Sequence, residues 1–279
     1  MTAPLLDVAD LHVSFRTVRG VLEAVRGVSF AMGREKLGIV GESGSGKTLT
    51  GRSILRLLPD AAEIRARRLA FDGIDLLQAT PAQLRDLRGR RLAMVMQDPK
   101  FSLNPVMTVG DQIAEAYLAH ARASRAEARE KALAMLEAVR IRDPGRVYGL
   151  YPHEVSGGMG QRIMIAMMLA PDPDLLVADE PTSALDVTVQ MQVLAILDDL
   201  VSERMGLVFI SHDLTLVTSF CDRVLVMYAG RVVETLNARD LGRAQHPYTR
   251  GLMACLPQLS GTEGDLPVLS RDPAWLGAP

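Results

Sequence analysis

The sequence predicts an α/β fold with an antiparallel β-region at its N-terminus and a helical region inserted between strands of the main sheet. Three observations carry that reading. Two β-rich segments, LLDVADLHVSF and VLEAVRGVSF, lie close together near the start. Short apolar strands then alternate with segments of helical spacing. Between Val106 and about Val155 the alternation stops, and the composition turns to Ala, Glu and Leu.

The elements follow in order. KLGIVG is a short apolar strand that runs into a Gly-rich loop. TLTGRSILRLL has apolar residues at helical spacing, and Pro59 is expected to end it. RRLAMVMQDP reads as a buried strand ending at Gln97-Asp98-Pro99. VGDQIAEAYLAHA and SRAEAREKALAMLEAVRI read as two helices of an insert covering about residues 106–160. The α/β pattern resumes at DLLVADEP, followed by a helix from roughly Val187 to Arg204 and the strand GLVFISHD. RVLVMYAGRVVET gives two strands with a turn at Ala229-Gly230. One domain is expected over residues 1–257. Residues 258–279, rich in Gly and Pro, are expected to form a loose tail.

Composition narrows the class. A chain of 279 residues with 48% hydrophobic and 23% charged residues can bury an ample core. Lys and Arg number 31 against 33 Asp and Glu, so charge gives no reason to expect nucleic acid as the partner. Cys221 and Cys255 are not a short-spaced pair, which speaks against a disulfide framework and a Cys-rich metal site. The N-terminus lacks a basic start before a long apolar core, so no signal peptide is expected. The densest apolar run, Ile163–Pro171, falls short of the ~18 residues of a membrane span. The chain reads as soluble and cytoplasmic, with any membrane role exerted through partners.

The chemistry begins at GESGSGKT, the run Gly41, Glu42, Ser43, Gly44, Ser45, Gly46, Lys47 and Thr48. It fits G-x-x-x-x-G-K-[ST] at every fixed position, with a strand before it and a helix after it. The glycines let consecutive backbone N–H groups curl toward phosphate oxygens. Lys47 brings positive charge to the β- and γ-phosphates, the Thr48 hydroxyl is suited to Mg²⁺, and the helix start adds its dipole. This is the pattern of a nucleoside triphosphate site.

Other candidates stand at strand ends. Asp179, closing LLVAD, suits a Mg²⁺ site opposite Thr48, and Glu180 could accept a proton from an attacking water. Gln97 can reach Mg²⁺ or that water; alone, it is an ordinary strand-end residue. His212 could hold the γ-phosphate or the water; a lone histidine there is usually structural. Phe15 could stack on an adenine ring, although an alternating strand also buries aromatics. Ser156-Gly157-Gly158, before an apolar helical run, offers bare backbone N–H groups to a second anion.

Taken in order, Phe15, Gly41–Thr48, Gln97, Ser156-Gly157-Gly158, Asp179-Glu180, Asp186 and His212 resemble the nucleotide-binding domain of ABC transporters, from about Leu5 to Pro257. The resemblance implies an α/β P-loop NTPase of the ABC ATPase type that binds ATP with Mg²⁺. It implies that Phe15 stacks on adenine, that Lys47 and Thr48 contact phosphate and Mg²⁺, and that Gln97 is the Q-loop residue. It makes Asp179 the Mg²⁺-site carboxylate, Glu180 the general base, Asp186 the D-loop residue and His212 the switch histidine. Ser156, Gly157 and Gly158 match the signature loop and would serve the ATP of another protomer, in a head-to-tail pair of ATPase subunits, homodimeric or heterodimeric.

A narrower resemblance, in QDPKFSLNPVMTVGDQI, DEPTSALDVTVQ and HPYTRGLMACLP, is to the oligopeptide/dipeptide/nickel importer branch. It implies two transmembrane permease subunits, an external solute-binding protein, and a place at the cytoplasmic face of the membrane. His246-Pro247-Tyr248-Thr249 serves as a marker of that branch, with Pro247 opening a helix, far from the sheet edge assigned to chemistry. Gly160 stands where a long polar residue is expected. It costs roughly 1 kcal/mol of helix propensity relative to Ala, and a half-site weakened by it and paired with a stronger one would fit a heterodimer. With only Cys255 near the C-terminus, no iron–sulfur cluster is expected. Two rival readings use the same loop chemistry: a cassette ATPase acting on DNA or the ribosome, and an assembly subunit of a soluble complex such as the phosphonate carbon–phosphorus lyase machinery.

Overall fold

The computed structural model describes residues 3–98, 102–183, 185–201, 205–255 and 275. The chain divides into two compact units, Met1–Leu77 with Phe209–Pro279, and Gln78–Val208.

The first unit opens with β1 (Leu6–Thr17) and β2 (Gly20–Met32), a long antiparallel pair running from Leu6 opposite Met32 to Thr17 opposite Gly20. Strict alternation from the buried Leu6 and Val8 would carry Asp10 and His12 inward. A bulge prevents this: Asp10 takes φ 54 and the register shifts between Val8 and Leu11. Leu11 and Val13 thereby become the buried pair. After β3 (Lys36–Val40) comes α1 (Lys47–Ile54). β4 (Ala62–Arg65) pairs with the far half of β1, β5 (Arg68–Phe71) with its near half, and β6 (Ile74–Asp75) with β5.

α1 stops before Pro59, contrary to expectation, and its end has a different cause. Arg56 adopts φ 54, its N–H donates to the Ser53 carbonyl, and the Leu57 N–H donates to the Arg52 carbonyl. This pair of reverse bonds closes the helix, with arginine in the left-handed position usually given to glycine. The Arg56 guanidinium donates to the carbonyls of Leu76 and Leu77, which holds it there.

The second unit starts at α2 (Pro81–Leu87), capped reciprocally by Thr80 and Gln83. β7 (Leu92–Val95) follows, then α3 (Val109–Leu118), α4 (Arg125–Ala138), α5 (Pro144–Tyr148) and α6 (Gly157–Leu169). Thr108, Ser124, Asp143 and Ser156 each accept a backbone N–H at the starts of α3 to α6. Small Ala128 and Ala132, both fully buried, let α4 pack closely. β8 (Leu175–Asp179) runs parallel to β7, from Leu92 opposite Leu175 to Val95 opposite Ala178. Every residue of both strands is buried, so they read as apolar runs without alternation, with Asp179 closing β8. α7 (Val187–Leu200) then leads to β9 (Gly206–Ser211), which carries the chain back to the first unit.

There, α8 (Leu214–Phe220) precedes β10 (Arg223–Tyr228) and β11 (Arg231–Asn237). β10 is parallel to β3 and antiparallel to β11, with Ala229 and Gly230 both at positive φ in the two-residue turn. α9 (Pro247–Ala254) has His246 as its cap and Pro247 at its first position.

The fold is thus the α/β cassette the sequence predicts, with its antiparallel β-region and its helical region. β7 ends at Val95, two residues before Gln97, and α7 is regular to Leu200. Pro99, the helix end at Arg204 and, apart from residue 275, the tail expected over residues 258–279 lie outside the described residues.

Candidate functional site

In the first unit, the buried strand β3 delivers the phosphate loop to the start of α1. Gly41 is required twice over: its φ is 152, and a β-carbon there would collide with the Met227 carbonyl oxygen of β10. The loop is stitched to the β10–β11 turn, where the Gly230 N–H donates to the Ser45 carbonyl at 3.0 Å. Gly46 begins α1 without a side-chain cap, and its first turn carries no acidic residue to offset the helix dipole.

Lys47 is 5% exposed, and its ammonium donates to the carbonyls of Gly41 at 2.7 Å and Glu42 at 2.8 Å. Ser45 is 4% exposed, and its hydroxyl has no hydrogen-bond partner among the described residues. A buried orphan hydroxyl beside a buried ammonium and an uncapped helix start fits an anion such as a nucleotide phosphate. A cavity of about 180 Å³ opens here between Glu42–Ser45 and the residues Tyr228 and Ala229.

Two other predicted residues lie in this unit. Phe15, half-buried near the end of β1, faces Leu22 of β2 and Ala62 of β4 in the ladders. His212 is exposed between β9 and α8, next to Asp213, which accepts the N–H groups of Thr215 and Leu216 as the α8 cap. The sequence reading missed Tyr248. Far from being remote from the phosphate loop, this fully buried tyrosine accepts the Glu42 N–H with its hydroxyl at 3.0 Å.

The second unit holds the remaining candidates. β8 ends in Asp179, 3% exposed, and Glu180 follows with φ 47. A non-glycine residue in that left-handed region stores strain, and such residues concentrate where a side chain must be aimed. The turn is held by the Ser183 N–H at 3.3 Å and the Ser183 hydroxyl at 3.2 Å, both donating to the Glu180 carbonyl. Asp186 caps α7 by accepting the Val189 N–H at 3.0 Å. Gln97 is exposed just beyond β7.

Ser156 and Gly157 are exposed at the start of α6, where the Ser156 hydroxyl accepts the Met159 N–H at 3.3 Å. Nothing described lies within 4 Å of a β-carbon built on Gly157, whereas one on Gly158 would stand 2.7 Å from Val189 Cγ1 of α7. The two glycines thus differ: Gly158 permits close helix packing, and Gly157 leaves the helix start bare. Gly160 is buried one turn on.

Among the described residues, no group of three or more His, Cys, Asp or Glu could hold a metal by itself. No helix among the described residues is long and apolar enough to cross a membrane.

The ABC transporter family matches residues 25–183. The probable peptide ABC transporter ATP-binding protein y4tR of Sinorhizobium fredii is 54% identical over 269 residues, covering 94% of this chain and 80% of its own length. The dipeptide transport ATP-binding protein DppD of Bacillus subtilis is 44% identical over 279 residues, covering 99% and 83%. Among solved structures, the dimeric post-hydrolysis state of the ATP-binding cassette MJ0796 bound to ADP and Pi aligns with a TM-score of 0.74 and 26% identity, over 84% of this chain and all but 1% of that one, a coverage of 99%. The chain belongs to the ABC transporter family.

Proposed function

We propose that this chain is the ATP-hydrolysing subunit of an importer that takes up peptides or a related small solute through partner membrane permeases. The observation that carries the reading is the pairing, in one chain, of a complete phosphate loop at α1 with a second, exposed helix start at α6 that Ser156 caps and Gly157 leaves without a side chain. The naming of its relatives for peptide and dipeptide transport supports the solute class.

Residues 1–257 act as the ATPase domain, with the helical insert of about residues 106–160 passing motion to the permeases. Phe15 stacks on the adenine. The N–H groups from Gly41 to Thr48 and the Lys47 ammonium hold the phosphates. Thr48, Gln97 and Asp179 would hold Mg²⁺, which would draw charge off the phosphate oxygens. Glu180, aimed by its left-handed backbone, takes the proton of the attacking water, and His212 orients the γ-phosphate side of that water.

Ser156, Gly157 and Gly158 serve the nucleotide of a second ATPase subunit, with Asp186 near the same boundary. The dimeric state of the solved cassette supports a pair. The partners are that subunit, two transmembrane permeases and an external solute-binding protein, with this chain peripheral at the cytoplasmic face. Unequal half-sites arising from Gly160 would fit a heterodimer.

The test is turnover by Glu180→Gln. We expect ATP binding to persist while hydrolysis falls about 10²–10⁴-fold, the usual contribution of a general base. Wild-type turnover by that variant would remove Glu180 from the mechanism.

A further inference from the structure

We propose that Tyr248 is a positioning residue for ATP binding, its hydroxyl fixing the Gly41–Glu42 peptide unit of the phosphate loop from 206 residues away in sequence. The peptide is gripped at both ends. Its carbonyl, on Gly41, accepts the Lys47 ammonium at 2.7 Å, and its N–H, on Glu42, donates to the Tyr248 hydroxyl at 3.0 Å. Rotation of this peptide would break both bonds at once and move the first N–H of the loop together with the ammonium.

The hydroxyl can act this way because the tyrosine is itself fixed. Its ring is fully buried, 4.5 Å from the Tyr228 ring and 5.9 Å from the Trp275 ring, and the latter two are 5.8 Å apart. Tyr228 also lines the cavity over the loop. The backbone is pinned just upstream: the Glu234 carboxylate of β11 accepts the N–H groups of Gln245 at 2.7 Å and His246 at 3.3 Å. His246 Nδ1 then accepts the Tyr248 N–H at 3.2 Å. Pro247 sets the first helical position of α9, so the ring leaves the chain in one direction. An acceptor fixed by packing and by neighbouring hydrogen bonds is what a preorganised loop needs. The segment His246–Thr249 thereby gains a chemical role: it is a brace on the nucleotide loop.

The inference rests on the reading of that loop as an ATP site, and the experiment separates the two. Tyr248→Phe deletes the hydroxyl and keeps the ring. Binding of radiolabelled ATP is measured by equilibrium dialysis on the full chain in the Glu180→Gln background, and steady-state kcat and KM in the otherwise wild-type protein. We expect Tyr248→Phe to raise Kd and KM for ATP about 3–10-fold, the usual effect of losing one hydrogen bond, with kcat within about twofold. Circular dichroism should remain that of the folded protein. A Kd within about twofold of its parent, or a lowered melting temperature with unchanged Kd, overturns the proposal and leaves Tyr248 a packing residue. If the parent itself binds no ATP, or Lys47→Ala binds as tightly as the parent, the reading of the loop fails instead. Should Tyr248→Phe not fold, Glu234→Gln loosens the same brace from its backbone side and must raise Kd in the same sense.

Discussion

Replacing the two glycines at the start of α6 separates packing from function. A β-carbon at position 158 would stand 2.7 Å from Val189 Cγ1, 3.7 Å from Cγ2 and 3.8 Å from Cβ. Carbon atoms rest at about 3.5–4.0 Å, so the overlap with Cγ1 is about 1 Å. Val189 is β-branched on α7 and holds one strongly preferred rotamer, so it cannot swing aside cheaply. Gly158→Ala therefore costs about 1–3 kcal/mol in overpacking, offset by up to about 1 kcal/mol of helix propensity. Val189→Ala removes the obstructing methyls, and the double variant should recover about 1–3 kcal/mol relative to additivity. Gly157→Ala meets nothing described within 4 Å and should stay within about 0.5 kcal/mol of wild type. Its methyl nevertheless covers the bare helix start, so ATP-driven pairing of subunits in the Glu180→Gln background should be lost. Urea unfolding and sedimentation velocity with ATP read the two effects. Additive behaviour of Gly158→Ala with Val189→Ala refutes the packing argument, and wild-type pairing by Gly157→Ala refutes the functional one.

Further outcomes follow from the same geometry. Lys47→Ala should weaken ATP binding by about 10–100-fold, the scale of lost charge-assisted hydrogen bonds, and equally tight binding in dialysis would remove Lys47 from the site. His12 should make stability depend on pH. Its hydrogen bond to Glu23 at 2.7 Å raises the imidazole pKa above the ordinary 6.5; partial burial opposes this, and Asp10 at 3.1 Å adds to it. The folded state thus holds the proton more tightly than the unfolded chain. The contribution is complete below about pH 6.5 and is lost as the pH rises through the folded-state pKa. Urea midpoints measured from about pH 5.5 to 9 should decline across that window and flatten in His12→Gln, whereas parallel profiles would deny His12 the role.

The parts of the molecule that could be read from the sequence are those whose cause is local. The loop Gly41–Thr48 is eight consecutive residues, and its demand for glycine and lysine is met within that stretch. β7, and β8 as far as Ala178, are apolar because both faces are covered, and the turn at Ala229-Gly230 carries its glycine. Local signals also misled: Pro59 looked like the stop of α1, but Arg56 closes it through carbonyls contributed by Leu76 and Leu77, some twenty residues on. The left-handed backbone of Glu180 left no trace, since glutamate carries no preference for that conformation. Tyr248 escaped for the plainest reason: its partner Glu42 lies 206 residues away, and only the fold brings a marker segment onto the phosphate loop.

The central claim is that this chain burns ATP to drive uptake through membrane permeases. The most direct measurement is ATP turnover by the complex purified from its native membrane through a tag on this chain, with and without peptide-loaded external binding protein. We expect two integral membrane subunits in the complex, turnover that rises on adding the loaded binding protein, and loss of that turnover with Glu180→Gln. Recovery of the chain with soluble enzymes and no membrane subunit, or turnover indifferent to the loaded binding protein and to Glu180→Gln, would contradict it.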